Sequence, residues 1–459
     1  MSEAEHEPGY LAGNEPEVIN SHSTWLILGL IASAVVGGVL DKTVCKKYSE
    51  RSREPVWVLL LVVVSYAYLI PGLVEVLFSF NIVFDTGPGG YYGIGPEGGF
   101  NQSPPTTETM LGLVKLLHDT GSDLGAVLVV FYAIFIPVLK LCLLILGHIF
   151  QLQACDHRRT SRRCIQVVQN ISKWACPDMF AYILLMHLVR SLSRPPYLKA
   201  NGRLDLGFTC FSLFCIGSTV ASLGIRVPDR EHGCFQKLGR YLREKRLIYV
   251  TSFLFVVFCV FFFWGLNESV MTLKVANLEG MVAQVLAWVG LTPEMLQSEV
   301  SVFSLMLKLA QESGEGKVTS LIGFVMFCVF VVGMTILNMV VLMATSVFVF
   351  QQKSGSRLMQ LSWVLKKLSM VDVMCMGVLI VTLCMAMYRE NVVVNMGLGQ
   401  WLLVTAEVLH YFTYYTVKGV IEVTEKVDLG NTTKGDEESD ISSDSSSEEP
   451  EPESEGVSC

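Results

Sequence analysis

Two long apolar runs joined by a short basic turn constrain this chain more than any other feature. They extend from Leu124 to Leu152 and from Ile171 to Leu192. The first run encloses Lys140 and the second encloses Asp178, and an ionisable group in hydrocarbon normally faces the bundle interior and has a partner there. At about 1.5 Å of rise per residue, both groups reach a similar depth in antiparallel helices. We therefore predict an intramembrane polar pair of Lys140 and Asp178, which is either a functional site or a structural ion pair that fixes helix register.

The composition of the chain is that of a membrane protein. Of its 459 residues, 51% are hydrophobic and 17% are charged, which is too apolar for a soluble protein of several domains. Several runs are long enough to cross a bilayer as helices. The predicted fold class is all-α, a multi-pass membrane protein of about nine transmembrane helices. No basic segment precedes the first apolar run, so we expect that run to stay as a membrane helix.

Six segments follow from the alternation of apolar runs and charged stretches. They are an extracytosolic acidic N-terminus (1–23), a leader transmembrane helix (24–40), a first four-helix membrane unit (56–225), a basic cytosolic linker (226–246), a second four-helix membrane unit (247–417) and an acidic Ser/Glu-rich cytosolic tail (418–459). We expect the tail to be disordered, because its Asp, Glu and Ser residues cannot form a packed core.

Lysine and arginine residues indicate the side of the membrane that each loop occupies. The turns after residues 152 and 225 are strongly basic. The loops 81–122 and 267–316, in contrast, contain few Lys or Arg residues. Short basic loops stay in the cytosol, so we predict an extracytosolic N-terminus and a cytosolic C-terminus. The sequence leaves open whether the membrane is the plasma membrane or an endomembrane.

The two four-helix units resemble each other in sequence. The stretch from Lys173 to Asp178 is similar to the stretch from Lys367 to Asp372. An even number of predicted helices separates the copies, which is typical of a parallel duplication. Asp372 is therefore a further intramembrane candidate, although a carboxylate near a helix N-terminus also serves as a simple cap. Lys140 has no lysine counterpart in the second unit.

Glu407 and His410 form another candidate pair, in the last predicted membrane helix. They are three residues apart and therefore share a helix face. A carboxylate near the bilayer centre faces a polar partner or cavity, or it keeps its proton and stays neutral. Both residues are thus further intramembrane candidates.

Four other residues carry local signals. Pro71 and Pro137 lie inside apolar runs and are predicted helix breaks. Asn101 and Asn267 each begin an Asn-x-Ser pattern in a predicted outer loop, so both are predicted glycosylation acceptors.

The sequence contains no pattern that predicts catalysis, a metal site or a cofactor. None of the thirteen cysteines belongs to a Cys-x-x-Cys pattern, and Cys155, His157 and Cys164 are too loosely spaced to predict a metal ion. The segment Gly93-Ile-Gly95-Pro-Glu-Gly98 matches the letters of a dinucleotide fingerprint, but the predicted loop around it does not provide the flanking strand and helix. We therefore predict that the protein is not an enzyme, has no cofactor and binds no nucleic acid.

Four features of the chain are similar to those of a known family. They are the run Ile136-Pro137-Val-Leu-Lys140-Leu, the motif Lys173-Trp-Ala-Cys-Pro-Asp178, the position of Pro71 and the tandem four-helix units. Over residues 56–417 the chain resembles the paraquat-inducible protein A family. The chain departs from the bacterial members in two ways, because it lacks their cysteine-rich zinc ribbons and its second unit lacks the lysine.

The resemblance implies a function as well as a fold. Bacterial members of the family are inner-membrane proteins that support membrane integrity and work beside proteins that carry phospholipids. By resemblance, this protein transports or handles a lipid or another hydrophobic molecule. Its expected partners are membrane lipids, with a protein partner or a homo-oligomer as a further expectation. The alternative is a non-transporting membrane scaffold or auxiliary subunit that acts through its outer loops and cytosolic tail.

Overall fold

Long apolar helices make up most of the computed structural model. It describes residues 16–43, 55–85, 91–94, 100–101, 106–152, 158–191, 193, 198–225, 244–275, 297–351, 355–385 and 392–441. The helices are α1 (Pro16–Thr43), α2 (Val56–Val74), α3 (Met110–Asp119), α4 (Asp123–Val130), α5 (Ile136–Leu152), α6 (Arg158–Ile171), α7 (Pro177–Ser191), α8 (Leu206–Gly224), α9 (Glu244–Asn267), α10 (Val302–Gly314), α11 (Val318–Val325), α12 (Met334–Phe350), α13 (Ser356–Leu368), α14 (Val371–Met385) and α15 (Leu398–Ile441).

Two π-helical segments and a 3₁₀ turn complete the helical part. The π-helical segments, Phe131–Phe135 and Met326–Gly333, join α4 to α5 and α11 to α12. The 3₁₀ turn Ser172–Ala175 lies directly before α7. Extra residues inserted into a helix widen it locally, and such π segments are frequent at functional sites.

Two small antiparallel sheets accompany the helices. The strands are β1 (Val76–Asp85), β2 (Tyr91–Ile94), β3 (Phe100–Asn101), β4 (Thr106–Thr109), β5 (Leu198–Leu204), β6 (Ser269–Val275), β7 (Ser298–Ser301) and β8 (Val392–Met396). The first sheet has the order β3-β2-β1-β4, with β5 also paired to β1, and the second has the order β7-β6-β8. The all-α prediction is therefore correct for the apolar helices and wrong for the segments between them. The β-branched and aromatic residues of β1, which favour a strand, had been assigned to the end of a helix.

Among the described residues, seven helical segments are long and apolar enough to cross a membrane. They are Glu17–Thr43, Val56–Val74, Asp123–Gly147, Leu206–Gly224, Arg246–Asn267, Val318–Phe350 and Ser356–Cys384. The predicted count of about nine also included α7 and α15, which are not among the seven. Helix α7 has only 15 residues, and α15 carries Gln400, Glu407 and His410 in its first half.

The structure adds detail to three of the predicted segments. In the first four-helix unit, helix α2 ends at Val74, and the chain becomes strand β1 after Pro71 has removed a helix hydrogen-bond donor. The basic turn predicted at 153–170 contains helix α6. Helix α15 continues to Ile441, so the start of the predicted tail is drawn as helix, and residues 442–459 lie outside the described residues.

The same order of elements occurs twice along the chain. The first half contains, in order, helix α2, strands β1 and β4, helix α3, the kinked rod α4–α5, helices α6 and α7, strand β5 and helix α8. The second half contains, in the same order, helix α9, strands β6 and β7, helix α10, the rod α11–α12, helices α13 and α14, strand β8 and helix α15. Each rod contains one π-helical segment at its middle.

Helices α7 and α14 meet at the centre of the bundle. Almost every residue of α7 is buried. Gly377 of α14 allows the two helices to approach closely, since a Cβ atom there would stand 2.9 Å from both Phe180 Cβ and the Pro177 carbonyl oxygen. Phe180 in turn packs edge-on against Phe327, with ring centroids 5.1 Å apart. The two halves are thus held together along a tightly packed central seam.

The two ends of the bundle are chemically different. Ser191 at the end of α7 is hydrogen bonded to Ser298 at the start of β7, so both sheets lie at one end, which we call the sheet end. The start of α1 lies there too, because the Asn20 side chain bonds the carbonyl of Gly316 and the N–H of Val318. We call the opposite end the basic end, since it holds α6 and its four arginines, Arg158, Arg159, Arg162 and Arg163.

Candidate functional site

Lys140 is fully buried in the first half, and its ammonium group is bound by polar groups of the protein. It lies on α5 and donates hydrogen bonds to the Ser172 hydroxyl and, at 2.7 Å, to the Ser218 carbonyl oxygen of α8. Ser222 donates to the same Ser172 hydroxyl at 2.9 Å. Two or three oxygen acceptors around one ammonium group satisfy much of the donor capacity of a buried lysine.

Asp178 is also fully buried, but neither of its carboxyl oxygens has a hydrogen-bond partner among the described residues. It is the second residue of α7. Tyr132, Tyr182 and Cys384 are close enough to interact with it electrostatically, although the Tyr182 hydroxyl donates to Met110 Sδ at 3.0 Å. A buried carboxyl group without a partner is unfavourable, and such groups are uncommon in native structures.

The predicted pair of Lys140 and Asp178 is therefore wrong as an ion pair. The structure shows no ion pair between these two described residues. The Lys140 ammonium group instead donates hydrogen bonds to the Ser172 hydroxyl and the Ser218 carbonyl. The estimate of depth from the sequence was not sufficient. A helix turns by about 100° per residue, so two groups at one depth can face different neighbours.

The structure pairs Asp372 with a residue that the sequence had not selected. Lys173 Nζ lies 2.6 Å from Asp372 Oδ2, and the two side chains are 6% and 16% exposed. The Tyr411 hydroxyl donates to Asp372 at 3.1 Å and accepts from Lys173 at 3.0 Å. Lys173 also donates to the Ser369 carbonyl at 3.4 Å. This cluster of Lys173, Ser369, Asp372 and Tyr411 joins the first half to the second.

A signal for this contact was present in the sequence. Lys173 precedes Asp178 in the first half as Lys367 precedes Asp372 in the second. The lysine of the first copy pairs with the aspartate of the second. The lysine of the second copy, Lys367, donates instead to Asn170 Oδ1 of the first half, so Asp178 is left without a cation.

Glu407 and His410 are brought together with two residues of the second half. His410 Nδ1 lies 3.1 Å from Glu407 Oε2, and His410 Nε2 lies 2.7 Å from the Asn338 amide nitrogen. The Asn338 oxygen accepts a hydrogen bond from Ser362 at 2.6 Å. The Asn338 nitrogen is therefore the donor to Nε2, which leaves Nδ1 to donate its proton to the Glu407 carboxylate. Glu407 Oε1 has no partner among the described residues.

Asn338 occupies in α12 the position that Lys140 occupies in α5. Both helices have 17 residues, and each of these side chains is the fifth residue. Ser218 in α8 and His410 in α15 likewise stand at the same distance from the starts of their helices. One half thus places a lysine against a carbonyl group where the other half places an amide against an imidazole ring.

The two predicted helix breaks behave differently. Pro71 lies in the last turn of α2, and its carbonyl accepts the Glu75 N–H at 2.8 Å, so the helix ends shortly after it. Pro137 is the second residue of α5 and directly follows a π-helical segment. The helix continues past Pro137, and its carbonyl accepts the Tyr66 hydroxyl at 3.0 Å. The regular α-helix is thus interrupted just before Pro137 by the widened turn and resumes as α5.

The two predicted glycosylation acceptors lie near the sheet end. Asn101 is in β3. Asn267 is the last residue of α9, is exposed, and donates its side-chain amide to the Phe263 carbonyl at 2.9 Å. The described residues contain no group of three or more His, Cys, Asp or Glu side chains arranged for a metal ion. Cys155 and His157 lie outside the described residues.

A second cross-half contact lies at the sheet end. Arg190 Nη1 donates to both carboxylate oxygens of Glu312, at 2.6 Å for Oε2, and Arg190 Nε donates to the Gly202 carbonyl at 2.7 Å. Ser320 adds a hydrogen bond to Glu312 at 2.7 Å. Burial by itself raises the pKa of Glu312, but the Arg190 guanidinium and these hydrogen bonds outweigh burial and lower that pKa below its ordinary value.

Comparison with known proteins gives one match. No curated protein and no solved structure matches the chain. The model of the paraquat-inducible protein A family matches residues 101–225. That segment contains Lys140, Lys173 and Asp178, the buried ionisable groups of the first half. Residues 101–225, which include this set of buried polar groups, are therefore similar to the paraquat-inducible protein A family.

Proposed function

We propose that this protein is an integral membrane protein that transports or handles a lipid or another hydrophobic molecule and thereby supports membrane integrity. The proposal is supported by the family match over residues 101–225 and by seven helical segments suited to a bilayer. It is also supported by the repeated order of elements, which we interpret as two tandem four-helix units. The bacterial relatives work beside phospholipid carriers, and this chain is proposed to act on the same class of molecule.

The carboxyl group of Asp178 is the observation that carries the proposal. It is buried at the central seam with both oxygens unpartnered among the described residues. In a bundle with a purely structural role, leaving a buried acceptor unsatisfied costs about 1–3 kcal/mol and more if it is charged. Ionisable residues inside membrane segments mark substrate or proton pathways by default. We infer that Asp178 is retained because it contacts a polar group of the cargo or exchanges a proton during its movement.

The proposed orientation places the basic end in the cytosol. The arginines of α6 lie at that end, and short basic segments remain on the cytosolic side. The sheet end, with the start of α1, is then extracytosolic. The C-terminal part of α15 is cytosolic in this arrangement, and Asn267 is on the side where glycosylation occurs.

Lipid movement in reconstituted vesicles tests the proposal. The purified protein is inserted into phospholipid vesicles, and the rate at which a fluorescent phospholipid leaves the inner leaflet is measured with and without an acceptor membrane. We expect Asp178→Asn, which keeps the shape of the side chain and removes its ability to exchange a proton, to lower the rate at least about tenfold. Glu315→Gln is the matched control, because Glu315 is at the sheet end with a side chain that is 52% exposed. A rate no higher than that of empty vesicles would refute transport, and equal rates for all three proteins would refute the role of Asp178.

The second candidate function is a non-transporting scaffold or auxiliary subunit. Cross-half ion pairs at both ends, Lys173–Asp372 and Arg190–Glu312, favour it because they stabilise one closed arrangement. Co-purification of a stable protein partner that is unaffected by Asp178→Asn, together with no lipid movement, is the result that this alternative predicts.

A further inference from the structure

Lys366 lies in a cage of three aromatic rings. Its Nζ atom is 4.1 Å from the ring centroid of Tyr411, 3.9 Å from that of Tyr414 and 3.9 Å from that of Tyr415. The lysine is 7% exposed. Aromatic faces attract a cation, but they do not neutralise its charge. Within the described part of the chain, the structure shows no carboxylate in ion-pair contact with Lys366.

Other cations surround Lys366. Lys173, Lys367 and Lys418 are all close enough to repel its ammonium group. Lys173 is neutralised by Asp372 at 2.6 Å, and Lys418 lies 3.8 Å from Glu422. Glu407 attracts Lys366 from a distance but is hydrogen bonded to His410. The basic end therefore contains two lysines, Lys366 and Lys367, whose charges are not balanced by a contacting carboxylate among the described residues.

Such an arrangement is unfavourable without an anion. Like charges that are partly removed from water repel strongly because the surroundings screen them poorly. The first half avoids the problem at the corresponding place. There Ser172 replaces Lys366, and the nearby lysine, Lys140, donates hydrogen bonds to Ser172 and the Ser218 carbonyl. The excess positive charge is thus specific to the second half.

The cluster can be reached from the surface. Lys367 is half-buried and contacts Asn170, which is exposed at the end of α6. Helix α6 has a polar, arginine-rich face and an apolar face that buries Ile165 and Val168. Helices of this kind lie in the plane of the membrane interface, which is the level of lipid phosphate groups. Lys366 is buried next to Lys367 in the chain, whereas Lys367 and Asn170 lie nearer the surface.

We propose that Lys366 and Lys367 bind the phosphate group of a phospholipid headgroup at the basic end, between α13, α15 and the end of α6. The phosphate supplies the negative charge that the cluster lacks, and Lys366 moves out of the tyrosine cage towards it. Ammonium groups bind phosphate as point charges without a required geometry, so the flexible lysine stem suits this role. This inference deepens the proposed function, on which it rests for the identity of the lipid.

Binding of soluble phosphate probes tests the site. The full-length protein in a neutral detergent is titrated by calorimetry with dihexanoyl phosphatidic acid, dihexanoyl phosphatidylcholine and inorganic phosphate. Charge-assisted contacts are strong, so we expect Lys366→Met and Lys367→Gln each to weaken binding of phosphatidic acid about tenfold, and Lys366→Arg to retain most of it. Lys317→Gln is the matched control, because Lys317 is exposed at the sheet end and pairs only with Glu315 among the described residues.

The probes distinguish a lipid headgroup from free phosphate. Tighter binding of both lipids than of inorganic phosphate supports a headgroup site, whereas equal or tighter binding of inorganic phosphate overturns it. Unchanged binding in Lys366→Met and Lys367→Gln also overturns it. Lys367 lies nearer the surface, so Lys367→Gln remains informative if Lys366→Met does not fold. If lipid moves between vesicles but neither Lys366→Met nor Lys367→Gln changes the affinity for lipid, only this inference fails. If the lysines bind lipid as stated and no lipid moves, the proposed function fails and the site stands.

Discussion

The ion pair between Lys173 and Asp372 joins the two halves, and removing one partner is expected to destabilise the protein strongly. The atoms are 2.6 Å apart and the side chains are 6% and 16% exposed, so solvent screening is weak. Breaking a buried pair from one side costs about 3–5 kcal/mol, because a charge is left without compensation. Lys173→Met leaves the carboxylate with two neutral donors, the Tyr411 hydroxyl and the Val373 N–H, and no cation, so we expect a loss in that range. Asp372→Leu leaves Lys173 with Tyr411 and the Ser369 carbonyl, so we expect a loss near about 3 kcal/mol.

The double variant is the informative one. Lys173→Met combined with Asp372→Leu replaces both charges by apolar groups of similar volume, which is often neutral for stability or better. We therefore expect the double variant to lie within about 1–2 kcal/mol of the wild type, with a coupling energy of at least about 3 kcal/mol.

The assay is unfolding by sodium dodecyl sulfate in mixed micelles, followed by the loss of helical circular dichroism. The control is the exposed pair Lys317–Glu315, whose side chains are each 52% exposed and whose coupling should be below about 1 kcal/mol. A coupling energy for Lys173 and Asp372 no larger than that of this control would refute the reasoning, because it would mean that the two halves are not joined by this pair.

Three further outcomes are expected from the same geometry. Lys140→Met and Asp178→Asn should have additive effects on the free energy of unfolding, with a coupling energy below about 1 kcal/mol. A coupling energy of several kcal/mol would instead indicate an ion pair between Lys140 and Asp178 and would contradict the structure. Because the pKa of Glu312 is lowered in the folded protein, its contribution to stability is present above pH 4.5 and is lost as the pH falls further. Glu312→Gln should flatten that part of an acid-unfolding curve, and an unchanged curve would contradict the argument. Gly72→Val should destabilise the protein by about 1–3 kcal/mol, since a Cβ atom there would stand 2.9 Å from the Phe211 backbone nitrogen. An unfolding midpoint equal to that of the wild type would show that α2 and α8 pack less closely.

Hydrophobic runs predicted most of the helices because each run must bury its own backbone groups in lipid. Strand β1 was missed because its alternating apolar and polar residues follow the apolar helix α2 without a break. The two elements therefore look like one continuous apolar run in the sequence. The extension of α15 to Ile441 was missed because the acidic composition there outweighs any helical signal.

The candidate residues were selected correctly as buried groups, but their partners were not. Lys140, Asp178, Glu407 and His410 are all buried, which the apolar surroundings of each residue indicate. Partner choice depends on the rotation of each helix and on contacts between the halves. The 3₁₀ turn that places Ser172 beside Lys140 is a tertiary feature that a single sequence does not display. The repeated spacing of lysine and aspartate marks Lys173 and Asp372 in the sequence, but it does not show that the lysine of one copy pairs with the aspartate of the other.

Mass spectrometry of the lipids retained by the purified protein tests the central claim most directly. The protein is extracted in a mild detergent, washed to remove bulk lipid and compared with an unrelated membrane protein from the same membranes. We expect a specific phospholipid, enriched to about one molecule for each chain and depleted in the Lys366→Met variant. A retained lipid mixture identical to that of the unrelated protein, in both the wild type and the variant, would contradict lipid handling and favour the scaffold.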